Sequence, residues 1–167
     1  MLKRVRQFIR GMFARLKEND YTFIADYLTK PEFDLFKTMS RYDQKHALDV
    51  ARFLAARGGS LILVRAGLLH DIGKAECPEL TLIRRSVAVF LEWRAPAEAA
   101  VVAERGRGKL ARALKVHKNH PELGAAKLET MDVDAYVAAL VRWHQNGDAA
   151  AEAAEDLELL RAADELF

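Results

Sequence analysis

Two adjacent polar residues interrupt one of the most apolar stretches of this chain: His70 and Asp71 directly follow Leu68 and Leu69. Three further polar residues fall where a helical pattern would bury them. His46 shares a face with Val50, Phe53 and Leu54, at offsets of four, seven and eight residues. His144 ends a stripe formed by Val133, Tyr136, Val137, Leu140 and Val141, and Asp164 continues the line of Leu157 and Leu160 toward Phe167. A single inward histidine is ordinarily a hydrogen-bonded core residue. A buried carboxylate is rarer, because an unpaired one is costly to desolvate; for Asp164 the local alternative is a salt bridge to Arg161, three residues earlier. Together, three imidazoles and two carboxylates on different helices are several costly burials that one divalent cation would satisfy, since imidazole nitrogen and carboxylate oxygen are its natural ligands. His70 and Asp71, about 100° apart on a helix, could bind one ion from a single turn, or Asp71 could bridge two.

The elements that must position these residues read as helices. Apolar residues recur at three- and four-residue spacing almost throughout, and strand-like alternation is rare. The pattern predicts an N-terminal amphipathic helix carrying Leu2, Val5, Phe8, Ile9, Met12, Phe13 and Leu16 and ending near Asn19-Asp20. Further helices are predicted at Tyr21–Leu28, Pro31–Met39, Asp43–Arg57 and Ser60–Ile72, with Gly73 placed as a C-cap glycine. Then follow Thr81–Trp93, stopped by Pro96, and Ala97–Arg105. After a glycine-broken basic loop at Glu104–Lys109 come Leu110–Lys118, Pro121–Met131, Val133–His144 and Ala149–Leu166. Asp132 suits the N-cap of the penultimate helix, and Asn146-Gly147 a stop. The fold class expected is an all-α bundle.

Composition agrees with one globular domain. The chain has 167 residues, 51% hydrophobic and 30% charged, enough to build a core without a disulfide staple. Its single cysteine, Cys77, reads as a reduced thiol in a cytoplasmic protein. Apolar runs such as Val87–Leu91 fall far short of the roughly 20 residues that a membrane-spanning helix needs. Net charge is only +2 but uneven: residues 1–17 carry six basic side chains and no acid, whereas Asp148 onward holds seven acids and one base. The basic amphipathic N-terminus fits a helix docked on the domain, or one that contacts a membrane surface or a partner. It also resembles a mitochondrial presequence, although it is poor in serine. Basic residues do not interleave with aromatics along one face, so no specific nucleic-acid binding is expected.

At these residues the sequence resembles the HD superfamily of metal-dependent phosphohydrolases. The pattern is His46, then His70-Asp71 within Leu68–Lys74 (LLHDIGK), then Asp164 within Leu160–Asp164 (LRAAD). The resemblance spans roughly residues 40–167 and implies an HD-domain helical bundle over 31–167, with residues 1–30 an added amphipathic extension. It implies that these four residues hold one metal ion. Two more positions, His120 in His120–Ala125 (HPELGA) and His144 in Val141–His144 (VRWH), match relatives that hold a second ion, with Asp71 bridging. His117, one turn before His120, reads as a surface or supporting residue, or as a competing ligand. The Gly-Tyr-Pro element of the relatives that degrade cyclic dinucleotides is missing after His144. The Glu-Asp pair of alarmone hydrolases is replaced by Ile72-Gly73-Lys74. The five-point pattern, with Gly124-Ala125 after His120, is most similar to bacterial HD hydrolases that cleave symmetrical dinucleoside tetraphosphates.

The resemblance implies hydrolysis of a nucleotide or another small phosphoester by metal-activated hydroxide, with Asp71 and Lys74 catalytic. Two divalent ions per chain are expected, iron or manganese ahead of zinc, cobalt, nickel or magnesium. Lys74, one turn beyond Asp71, is placed to reach a phosphate oxygen, or else is a solvated helix-end lysine favoured by the macrodipole. Arg41, Lys45, Arg105, Arg107 and Lys109 are candidate contacts to substrate phosphates, with a solvated surface as their alternative. Two other classes stay open: a metal-bound, nucleotide-sensing module with little turnover, and an interaction protein that works through its basic N-terminal helix.

Overall fold

The computed structural model describes residues 15–77, 87, 90, 91, 93–145 and 153–167. Among them are eight α-helices and no strand. In chain order these are α1 (Glu18–Tyr27), α2 (Lys30–Phe36), α3 (Arg41–Ala56), α4 (Leu61–Leu69), α5 (Pro96–Arg105), α6 (Lys109–Thr130), α7 (Ala135–Trp143) and α8 (Ala154–Leu166). A short 3₁₀ helix, Ile72–Glu76, follows α4, and residues 87, 90, 91, 93 and 94 are also helical. The expected all-α bundle is what the chain forms. The N-terminal stripe up to Phe13, most of the helix expected at Thr81–Trp93, the Asn146-Gly147 stop and the start expected at Ala149 lie outside the described residues.

The bundle is organised around α4. Its residues Leu63, Val64, Ala66, Gly67, Leu68 and Leu69 are buried, and a helix apolar on nearly every side must be covered on nearly every side. It packs against α3 and α7, and α8 packs against α3. The approach of α3 to α4 is close at Gly67, where a Cβ would meet Leu54 Cδ1 at 2.8 Å and Ala51 Cα at 3.4 Å. Both helices begin at serine N-caps: Ser60 Oγ accepts from the Leu63 N–H (3.1 Å) and Ser40 Oγ from the Asp43 N–H (3.2 Å). Each cap satisfies one of the donors that a helix N-terminus leaves open.

A buried ion pair ties α2 to α4. Glu32, 1% exposed, accepts from the Thr29 N–H (2.8 Å) and the Thr29 hydroxyl (2.7 Å) through Oε2, while Arg65 of α4 donates to Oε1 from Nε (2.7 Å) and Nη2 (2.5 Å). A charge so deeply buried is tolerated because every donor it needs is in place. The helix α1 joins the same core through Ile24, followed by Leu28, and Arg52 of α3 pairs with Asp20 at 2.7 Å.

Several predicted boundaries are corrected. Asn19-Asp20, expected to stop a helix, lies in the first turn of α1; the Asp20 carboxylate accepts from the Lys17 N–H (2.7 Å), and an acid favours the helix end with open N–H groups. The helix predicted over Ser60–Ile72 ends at Leu69 and tightens into the 3₁₀ turn. Pro96 begins α5 in its first turn instead of merely stopping the preceding helix. The segments Leu110–Lys118 and Pro121–Met131 are one helix, α6, with Pro121 inside it. Asp134, not Asp132, caps α7, accepting from the N–H groups of Tyr136 (2.8 Å) and Val137 (3.4 Å). Asp132 instead takes a left-handed backbone, φ 56°, just after the end of α6, a conformation that aspartate tolerates better than most residues.

Candidate metal centre

Three histidines are aimed by the same local device. A carbonyl accepts only, so each ring Nδ1 beside one must carry the proton. His70 Nδ1–H donates to the Gly67 carbonyl (2.9 Å), His120 Nδ1–H to His117 (2.6 Å) and His144 Nδ1–H to Val141 (2.7 Å). Each acceptor lies three residues earlier, at a point where the helical ladder stops. His70 and His144 are the C-caps of α4 and α7, and the last carbonyls of a helix have no intrahelical partner. In α6 the ladder is interrupted by Pro121, which has no N–H to offer the His117 carbonyl four residues before it. In the neutral form of each ring, Nε2 is therefore the nitrogen left with a lone pair. All three Nε2 atoms are buried without a hydrogen-bond partner.

Around them stand two carboxylates and a fourth histidine. Asp71, 1% exposed, lies 3.2 Å from His120 Nε2 through Oδ1, and 3.7 Å from His70 Nε2 and 3.9 Å from His46 Nε2 through Oδ2. Asp164, from α8, approaches His46 Nε2 at 2.8 Å and His70 Nε2 at 3.5 Å. Three overlapping groups have ligand atoms mutually within 4.8 Å: His46, His70 and Asp71; His70, His144 and Asp164; Asp71, His120 and His144. Asp71 belongs to the first and third, which places its two oxygens between His46 and His70 on one side and His120 on the other. The donor set of neutral imidazole nitrogens and carboxylate oxygens fits a divalent transition metal. Buried lone pairs without partners are otherwise expensive.

The electrostatics follow from this crowding. Burial alone would raise the Asp71 pKa, but Lys74, His70 and His120 hold the carboxyl well below the usual carboxylate range. Burial likewise opposes ionisation of Asp164, and contact with His46 and His70 outweighs it, lowering its pKa. His70 gains most: against its burial, Asp71 and Asp164 push its pKa up to about 9. Burial lowers His120, aided by Lys74, and burial with the neighbouring His70 and His120 lowers His144 to about 3. At neutral pH the metal-free His70 ring is thus a cation, protonated on both nitrogens, while His120 and His144 are neutral and protonated at Nδ1 alone.

Close approach of two backbones brings His120 to Asp71. A Cβ on Gly73 would lie 2.0 Å from the His120 carbonyl oxygen and 2.7 Å from the Gly124 nitrogen, and one on Gly124 would meet Gly73 N at 3.2 Å. Gly73 is not the left-handed C-cap glycine expected from the sequence; among the described residues the positive-φ glycines are Gly58 and Gly108. Its lack of a side chain lets the 3₁₀ turn press against α6.

The other expected site residues are distributed unevenly. Lys74, with a 10% exposed side chain, is no solvated lysine: its Nζ lies 2.5 Å from Asp71 Oδ1, an ion pair without hydrogen-bond angles. His117 is half-buried, its ring stacked on that of His120 with centroids 6.0 Å apart. Arg41 is about 140° around α3 from His46 and lines a separate cavity with Arg15, Tyr21 and Gln44. Lys45 pairs with Asp49. Arg105, Arg107 and Lys109 are exposed, and Lys109 borders an open cavity of about 430 Å³ between α5 and α6 with Arg112, Lys115 and Glu104. The salt bridge offered as an alternative for Asp164 does not form; Arg161 donates instead to the Trp143 and His144 carbonyls. Two features escaped the sequence reading: the Gly73–Gly124 contact, signalled only as two glycines, and Tyr42, whose ring stacks parallel to His46 (6.3 Å, 6°).

No described helix is long and apolar enough to cross a membrane. Comparison with curated proteins and with solved structures gives no significant match. The HD domain family, in contrast, matches residues 44–166, a segment that begins inside α3, ends with α8 and contains all six residues of the cluster. On that match, covering well over half its length, the chain belongs to the HD domain family.

Proposed function

We propose that the protein is a metal-dependent phosphohydrolase that acts on a nucleotide or another small phosphoester. One observation carries this reading: the buried Nε2 atoms of His70, His120 and His144, without hydrogen-bond partners, converge on the Asp71 carboxylate, a donor set that a divalent cation would satisfy. His46, His70 and Asp164 would hold one ion and His120 and His144 another, with Asp71 between them. A bound divalent cation lowers the pKa of water and polarises a phosphoryl group.

The chain's own residues prepare that chemistry. Asp71 stays ionised beside Lys74 and is therefore ready to bind without first losing a proton. His120 and His144 are already neutral, whereas His70 must release its proton. Lys74 is catalytic in this reading: on loading, its ammonium is free to turn from Asp71 toward a phosphoryl oxygen or the leaving group. A symmetrical dinucleoside tetraphosphate is the first substrate to try, on the strength of the five-point motif alone.

Elemental analysis of protein purified without chelator, joined to assays on phosphomonoesters, cyclic nucleotides and dinucleoside polyphosphates, tests the proposal. Two ions per chain are expected, with activity lost in Asp71→Ala. Metal-free protein, or unchanged turnover in Asp71→Ala, would overturn it. Metal-loaded protein that binds nucleotides but turns over no member of the panel would point to a sensing module.

A further inference from the structure

Arg161 lies on α8 one turn before Asp164, so the two side chains leave the same face of the helix. Asp164 reaches His46 and His70. Arg161 reaches the other side of the cluster by a different route: its Nε donates to the His144 carbonyl (3.1 Å) and its Nη2 to the Trp143 carbonyl (2.7 Å). These are the carbonyls that end α7, where the ladder leaves acceptors open and the helix dipole favours a cation. His144 is thus fixed at two points. Its backbone is held by Arg161 and its ring by the Val141 carbonyl (2.7 Å), leaving Nε2 buried among His70, His120, Asp71 and Asp164.

We infer that Arg161 is a positioning residue for the metal site: a two-point clamp that sets His144 and yokes its placement to that of Asp164. A planar guanidinium suits this task because its donors form a rigid fork; a lysine offers a single mobile charge. The two sides of the cluster are then not independent, since one turn of α8 supplies a ligand to one and orients a ligand of the other. The inference rests on the proposed two-ion site, and its consequence is specific. Losing the fork should loosen His144 and spare His46, His70 and Asp164.

The test is titration of the metal-free full chain with Mn²⁺, read as heat and as ions bound per chain, for wild type, Arg161→Met, His144→Ala and the double variant. In Arg161→Met the weaker equivalent of Mn²⁺ should lose affinity about 10- to 100-fold, the range for removing a partner that orients a ligand. The tighter equivalent should stay within about twofold. In the His144→Ala background the same change should have no further effect, because the clamp acts through His144. An additive effect in that background, or equal weakening of both equivalents, would overturn the inference. Imidazole nitrogen NMR of the metal-free chain supplies a reading that needs no metal. Wild-type His144 should show a single tautomer protonated at Nδ1, and Arg161→Met should show loss of that tautomer preference; an unchanged His144 signal in a folded Arg161→Met chain would refute the clamp. If wild type binds no Mn²⁺, the two-ion reading fails, whereas the NMR result still decides the role of Arg161.

Discussion

Substituting Gly73 by alanine is the sharpest probe of how this site is assembled. An added Cβ would stand 2.0 Å from the His120 carbonyl oxygen, 2.9 Å from its carbonyl carbon and 2.7 Å from the Gly124 nitrogen. Carbon and carbonyl oxygen do not ordinarily approach closer than about 3.3 Å, so the 3₁₀ turn and α6 must part by more than about 1 Å. All three opposing atoms are helix backbone and cannot swing aside as a side chain would. Overpacking costs about 1–3 kcal/mol where neighbours can yield; here the upper end, about 3 kcal/mol, is the expected minimum.

Two other glycines calibrate that figure. At Gly67 the nearest obstacle is the terminal Leu54 Cδ1 at 2.8 Å, a rotatable methyl, and alanine gains about 1 kcal/mol of helix propensity there, so Gly67→Ala should be near neutral. At Gly124, also inside a helix, the contacts are all 3.2 Å; a shift of a few tenths of an ångström relieves them at about 1 kcal/mol, which the same propensity gain largely offsets. Thermal and denaturant unfolding of the three metal-free variants gives the ranking. For a chain of this size each kcal/mol moves the midpoint by about 2–4 °C, so Gly73→Ala should melt at least about 6 °C below wild type. A Gly73→Ala midpoint within about 2 °C of wild type, or above that of Gly67→Ala, would refute the packing argument and with it the account of how His120 meets Asp71.

Other expectations follow from the same contacts. For pH, the metal-free chain should be most stable near 6.5. Between 6.5 and about 9 the folded His70 holds a proton that the unfolded chain has lost, so stability falls as pH rises; between about 3 and 6.5 the unfolded His144 is protonated and the folded one is not, so stability falls as pH drops. Saturating Mn²⁺ should abolish the alkaline decline, since the ion replaces the His70 proton, and a decline that persists in loaded protein would contradict this. Arg65→Ala strands Glu32, 1% exposed, and should cost about 3–5 kcal/mol in denaturant unfolding; a loss under 1 kcal/mol would show that the Thr29 donors suffice. Asp134→Ala removes the α7 cap at a cost of about 1 kcal/mol in denaturant unfolding; an unchanged midpoint would show that Asp134 is not the cap.

The helices were legible because their apolar spacing repeats for several turns, and that signal survives errors at the ends. Ends depend on single hydrogen bonds that spacing does not encode. The break placed before Pro121 is instructive. Proline usually closes a helix because it lacks an N–H and crowds the preceding turn, yet α6 runs through it, and the carbonyl it leaves open is taken by the His120 ring. Asp132 and Asp134 are equally good caps by residue type; only the left-handed backbone at Asp132 separates them, and it depends on how α6 must turn into α7.

The cluster itself was legible for a reason that also marks where legibility stops. His46, His70, Asp71, His144 and Asp164 stood out because each puts a polar group on an apolar face, a violation that costs energy unless something repays it. Residues that pack or orient leave no such violation. Arg161 on a half-buried position looks like any salt-bridge partner, and Gly73 like any helix stop, until the carbonyls of α7 and α6 are seen beside them. Surface cations such as Arg105 and Lys109 are legible as charges and silent as contacts, because an exposed position is satisfied by water whatever else it does. Sequence therefore marks the groups that could hold an ion, while the groups that aim them become visible only when helix ends are placed. On the proposed reading a substrate would be recognised by exposed groups, which fall on the silent side of that divide, and the substrate panel is the way to find it.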